Sequence, residues 1–228
     1  MAGDDAGDRR ARRWSDTGVG VVRMKLPRAW FLPPEHDVLA MLRAQADTSC
    51  AAVELLVQWA HEHIAAVEAA GRIRELAGEV EHQRRELHIA VRERFSTPLQ
   101  GEDILELAQR LAELVEDVHR LVQEAELTFV APDPNITEIV GGIAGANRMC
   151  RRAVARLPHA DAGDVADEAA RLLEPAEHAY RAAIIELNDE VDLRTEIRRR
   201  ELYRRAEHAT TATARVLHRI WYGVSKTE

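Results

Sequence analysis

Aromatic side chains make up only 4% of this 228-residue chain, and the β-branched and aromatic residues that favour sheets are correspondingly thin. A fold built on strands is therefore not expected. Cysteine is nearly absent: Cys50 and Cys150 sit in helical patterns with no CxxC or Cys/His spacing nearby, which excludes a disulfide framework and a zinc finger and suits a reducing cytosol. No apolar run approaches the roughly 18 residues that span a bilayer, and the N-terminal stretch has no apolar signal core. A basic surplus is also missing. With 31 Lys and Arg against 39 Asp and Glu, the formal charge of -8 argues against nucleic acid as a partner. The expected compartment is the cytoplasm.

What is present is Ala, Leu, Glu and Arg, the residues that lose least on entering a helix. Apolar positions recur every three or four residues over about 35–67, through Val38, Leu42, Ala46, Val53, Leu56, Ala60, Ile64 and Val67. The same period predicts helices over about 72–95, 102–129, 136–157, 165–187 and 192–222, with Ala131-Pro132-Asp133-Pro134-Asn135 as a break in the middle. Long amphipathic helices joined by short turns pack antiparallel at small crossing angles. The expected fold is all-α, six long helices in two three-helix halves of about 35–130 and 136–222. Residues 1–23, with the run Arg9-Arg10-Ala11-Arg12-Arg13, read as a disordered tail. The apolar segment Met24 to Pro34 is expected to cover the end of the bundle, in a domain of 24–228.

The most informative stretch is the corner between the second and third helices, Phe95-Ser96-Thr97-Pro98-Leu99-Gln100-Gly101-Glu102-Asp103-Ile104. Pro98 pushes its predecessor out of the α region, and Glu102 and Asp103 place negative charge at the positive end of the next helix dipole. In lettering and flanks this corner resembles the PhoU-like family, and more closely its branch of cytoplasmic proteins found beside Pit-type inorganic phosphate transporters. There, a helix with a Glu-x-x-x-Asp pair ends in Phe-x-Thr-Pro-x-x-x-Glu-Asp-Ile, and Phe95, Thr97, Pro98, Glu102, Asp103 and Ile104 match in register. The closing segment from Asp192 to Tyr203, followed by Glu207, is similar too.

The resemblance implies paired three-helix bundles, inner carboxylates able to hold iron, zinc or similar metals, and a regulatory role in phosphate uptake. Residues four apart stack on one helix face, so two neighbouring helices aim two pairs of carboxylates at one cation. Carried onto this chain, the pairs fall on Ala77 and Glu81, Ala112 and Glu116, Leu173 and Glu177, and Glu207 and Thr211. Half of each pair is lost. A reduced divalent-metal or iron site would use Glu81, Glu113 and Glu116 in the first half, and Glu174, Glu177, His178 and Glu207 in the second. The alternative is that these acids simply line a solvated groove in an acid-rich chain.

Other constellations are weaker. Glu79-x-x-His82 and Glu116-x-x-His119 have di-iron spacing, but they lie on consecutive helices. His61-Glu62-His63 would put its histidines on different helix faces. Arg198, Arg199, Arg200, Arg204 and Arg205, with Arg148, Arg151, Arg152 and Arg156, suit either an acidic partner or neighbouring glutamates. Trp59 and Trp221 fall on apolar stripes and are expected in the core. Ser49 and Cys50 have no base at a definable distance, and Gly141-Gly142 lacks the strand context of a nucleotide loop. No catalytic residue is assigned. The expected function is a non-enzymatic regulator that docks on a Pit-type permease at the inner face of the membrane, as monomer or homodimer. The alternative is a divergent helical scaffold that has lost metal and phosphate roles.

Overall fold

The computed structural model describes residues 37–93, 97 and 99–226. The tail, the 24–34 segment, and Phe95, Ser96 and Pro98 of the corner lie outside the described residues. Among the described residues there are seven α-helices and no strand: α1 Val38–Ala60, α2 Ala66–Glu93, α3 Gly101–Thr128, α4 Pro134–Arg156, α5 Asp161–Arg171, α6 Glu174–Glu186 and α7 Leu193–Ser225. The expected all-helical architecture stands. The first three helices form one half; α4, the α5–α6 pair and α7 form the other, with α1 packed on α4 and α3 on α7.

Helix starts follow local chemistry. Asp37 caps α1 through Leu39 and Ala40 N–H at 3.1 Å, and Asp192 caps α7 through Arg194 and Thr195 N–H at 3.2 Å. Asp133 caps α4 at Ile136 N–H, 2.9 Å, with Pro134 in the first turn where its missing donor costs nothing. Two expected boundaries shift. The first helix stops at Ala60 rather than continuing to Val67: Glu62 takes φ 58°, the chain reverses, and Val67 belongs to α2. His61 and His63 therefore sit in a turn, and their rings stack at 5.9 Å instead of diverging on a helix.

The expected helix over 165–187 begins earlier, at Asp161, and is two helices. Pro175 has no N–H and its ring excludes the carbonyl one turn back, so Leu172 and Leu173 N–H turn to Ala169 and Ala170 carbonyls at 3.1 Å before α6 restarts. Gly142 of α4 makes room for this break. A Cβ there would stand 2.9 Å from Ala176 Cβ and 3.0 Å from the Leu172 carbonyl oxygen.

The core runs the length of the bundle through Leu42, Leu56, Ile73, Leu111, Leu121 and Ile143, all fully buried, each worth about 1.5–3 kcal/mol of transfer free energy. Gln45 is a polar exception in that core, its amide donating to the Ala108 carbonyl at 2.9 Å and to Val80 at 3.4 Å. Trp59 is buried as expected. Trp221 is not: it is 45% exposed on the last turns of α7, where its ring edges over Gly163 and His218.

Two polar locks fix α7, the wall shared by both halves. At one end Tyr203 donates to Asp133, the cap of α4, and burial together with that bond pushes the phenol well above its usual range. At the other, Asp103 is 3% exposed and receives Arg219 together with Lys226 at 3.3 Å. Asp103 is thus more than a charge at a helix N-terminus, because it holds the end of α7 against the start of α3. In the same corner Thr97 donates to the Leu99 carbonyl, and a Cβ on Gly101 would press on Val91 Cγ1 at 2.9 Å.

Candidate functional site

The four carboxylate-register positions of each half do face common space. Ala77 and Glu81 of α2 and Ala112, Glu113 and Glu116 of α3 line a groove of about 490 Å³. Leu173 at the start of α6, Glu177 within it, and Glu207 and Thr211 of α7 line a second, of about 330 Å³. These register positions share a groove in each half. Glu174 and His178, expected to stand in for lost ligands, do not line the second groove. Both are exposed, His178 about 100° round the helix from Glu177 and Glu174 at the first residue of α6. His178 Nδ1 instead lies 2.8 Å from the Glu174 carbonyl oxygen.

Each acid in the first groove already has a cation. Glu81 holds Arg84 through two bonds of 2.7 and 2.8 Å, which keeps its carboxyl below the usual range. Glu113 binds Arg110 at 2.8 Å and Gln109 at 3.1 Å. Burial pushes its carboxyl up, and these bonds outweigh that and leave it lowered. Glu116 pairs with Arg120 at 3.0 Å. Arg110 also reaches Glu106 at 2.6 Å. Asp117 lies deeper, and burial raises its carboxyl despite Arg120 at 3.5 Å. Arg215 of α7 lines the same groove and lowers both Glu113 and Asp117 through space. In the second groove Glu177 pairs with Arg181 at 3.2 Å, and Glu207 accepts from Thr211 at 2.9 Å.

This donor set does not fit a metal cluster as arranged. Among the described residues no group of three His, Cys, Asp and Glu side chains is placed to hold a metal ion. Glu81, Glu113, Glu116 and Glu177 bind guanidinium groups, Leu173 is 3% exposed where an acid would be needed, and Thr211 occupies its neighbour Glu207. Hard divalent cations take six or more oxygens, and each groove offers one carboxylate per pair position. The di-iron spacings fare similarly: His82 Nε2 approaches Glu86 at 3.3 Å, and Glu79 accepts from Gln83 at 3.1 Å.

The guanidinium partners were readable as i±3 and i±4 spacings, Glu81 to Arg84, Arg110 to Glu113 and Glu116 to Arg120. Arg215 follows Thr211 by one turn on the register line. Most of the clustered arginines are likewise engaged. Arg200 pairs with Glu196 at 2.9 Å, Arg204 with Glu201 at 2.5 Å, Arg148 with Glu54 at 3.2 Å, Arg151 with Asp47 at 3.5 Å and Arg156 with Asp161 at 3.3 Å. Burial, offset in part by Arg151, pushes the Cys50 thiol up to about 11, and Cys150 is raised by burial still further. Neither is a competent nucleophile at neutral pH. No helix of the described residues is long and apolar enough to cross a membrane.

No family model matches the sequence, and no curated protein matches it. Solved structures do. A PhoU-like protein from Shewanella oneidensis MR-1 superposes with TM-score 0.70 at 13% identity, covering 83% of this chain and 99% of that one. A putative PhoU-like phosphate regulatory protein from the same organism superposes at 0.59 with 12% identity and the same coverages. At such identity the likeness speaks for architecture, and with the all-helical order of elements it gives this chain the PhoU-like fold.

Proposed function

We propose that this chain is a non-enzymatic regulator of inorganic phosphate transport that acts by docking on a Pit-type permease at the cytoplasmic face of the membrane. The observation that carries the reading is the PhoU-like fold, taken with the resemblance of the corner from Phe95 to Ile104. One of the structural relatives is itself described as a putative phosphate regulatory protein, which supports the direction of the proposal. Control by docking rather than by metal chemistry agrees with a first groove whose glutamates are neutralised by arginine. Deleting the gene is expected to change the rate of radiolabelled phosphate uptake at least about twofold, and the tagged chain is expected to co-purify with the permease. Unchanged uptake together with no membrane recruitment would overturn the proposal.

A second reading follows from Ala77, Ala112, Leu173 and Thr211, where each pair has lost a member: a scaffold that keeps the fold and has left phosphate regulation. A chain that stays off membranes and binds other proteins in both phosphate-replete and phosphate-starved cells would favour it.

A further inference from the structure

Exposed apolar side chains are concentrated at one end of the bundle. Seven of the eleven exposed large hydrophobic residues among those described stand where α1, α3 and α6 finish and α2, α4 and α7 begin, Val67, Leu127, Phe129, Val191, Leu193 and Ile197 among them. On the α2–α3 side of this end lies an open groove of about 650 Å³. Trp59 is at its base, Ile64, Val67 and Val130 form its walls and Phe129 its rim. Its charged lining groups are Glu62 and Glu126, and neither Lys nor Arg lines it. The adjoining concavity across the α1–α4 joint adds Asp133 and Glu138, again with no Lys or Arg. Arg194 and Arg198 of α7 lie outside both.

Phe129 is the telling residue. It ends α3 in the left-handed region at φ 55°, where a bulky side chain is disfavoured and Gly or Asn is the usual choice. Its ring is 90% exposed. An aromatic held in a costly conformation without burial in its own chain is better explained by an external contact.

We propose that this groove is the docking site for an apolar, Lys/Arg-rich cytosolic loop of an integral membrane protein, an assignment that rests on the regulatory reading above. Cytosolic loops of membrane proteins carry an excess of Lys and Arg. Apolar residues of such a loop fill the space over Trp59, its cations meet Glu62 and Glu126, and an arginine can lie on the face of Phe129. The same acids repel an anionic lipid surface. They would also face one another if two copies met end to end.

The test uses the full chain, the detergent-solubilised Pit-type permease and a synthetic peptide for each of its cytosolic loops. Phe129→Asn is expected to weaken binding about tenfold or more while leaving the melting temperature unchanged or higher, because Asn suits the left-handed cap. Glu126→Lys is expected to weaken binding and flatten its salt dependence, and Ile89→Asn, at the opposite end, to change neither. A permease bound equally by wild type, Phe129→Asn and Glu126→Lys removes the groove and leaves the regulatory reading intact. A permease that wild type does not bind removes both. Binding to anionic vesicles without permease, or a wild-type dimer that Phe129→Asn dissociates, overturns the assignment in favour of lipid or of a second copy.

Discussion

The groove between α2 and α3 and the groove between α6 and α7 sit at matching places in the two halves, and the same register positions line both. They are filled differently. In the first, three unbroken acidic positions are each met by an arginine on the same helix, so the groove is a closed set of short-range ion pairs with Arg215 as an extra cation. In the second, Pro175 breaks the wall, and Leu173, turned inward at the break, occupies the position of an acid with a buried apolar side chain. Both grooves pair surviving acids with guanidinium and have lost others, and the second differs in burying a bulky leucine at one lost position and in leaving Glu207 to a threonine hydroxyl.

The sharpest way to break this comparison is to put the same carboxylate at both equivalent positions. Leu173→Asp would bury an unpaired charge and is expected to cost about 3–5 kcal/mol. Ala77→Asp, half-exposed at the matching place, is expected to cost less than about 1 kcal/mol. Urea denaturation of both variants measures the asymmetry, and equal losses would show that the second groove is not packed as described.

The shared wall comes next. Asp103→Ala leaves Arg219 and Lys226 without their buried acceptor, and because both cations keep partial access to water the expected loss is about 2–3 kcal/mol. Glu102→Ala, exposed in the same corner, is expected to cost less than about 1 kcal/mol. If the two substitutions cost the same, the corner acts only through its helix dipole.

Restoring both lost acids of the first groove tests whether arginine has displaced metal there. The Ala77→Asp, Ala112→Asp double variant regains two carboxylate pairs on facing helices. It is expected to be stabilised by added Mn²⁺ by about 2–3 kcal/mol at a hundredfold excess over its Kd. The wild-type melting temperature is expected not to move. A wild-type shift of similar size would return the metal to the native groove.

Much of this was legible in the residues. Apolar spacing located every long helix, and the corner set a register that places Ala77, Glu81, Ala112 and Glu116 in one groove and Leu173, Glu177, Glu207 and Thr211 in another. Where the reading failed, non-local geometry decided. The periodicity ran smoothly from Ala60 to Val67 although the chain reverses at Glu62, since no Gly or Pro marks the turn. Trp221 falls on an apolar stripe, but near the end of α7 too little of the described protein lies above the stripe to cover it. Asp103 looked like an ordinary first-turn acid because its partners, Arg219 and Lys226, are more than a hundred residues away. Phe129 gave no sign of its exposure, since a helix C-terminus does not reveal its φ in the letters.

The smallest effect expected is also the one most specific to the first groove. Burial raises the Asp117 carboxyl, so the folded state disfavours its charged form relative to the unfolded chain. The resulting cost is complete at pH values above the raised folded value, shrinks as pH falls through it, and vanishes below the ordinary Asp range, where both states are protonated. Asp117→Asn is therefore expected to raise the melting temperature by about 1–2 °C at neutral pH and to lose that advantage in acid. Glu81 and Glu113 behave in the opposite sense. Their lowered carboxyls stabilise the fold above the ordinary Glu range and release that stability as pH falls through their folded values, so Glu81→Gln should lose stability at neutral pH and converge on wild type in acid. Melting curves of the two variants from neutral to acid pH should approach wild type from opposite sides. Parallel curves would mean that the arginines around this groove do not distinguish the paired carboxylates from the buried one.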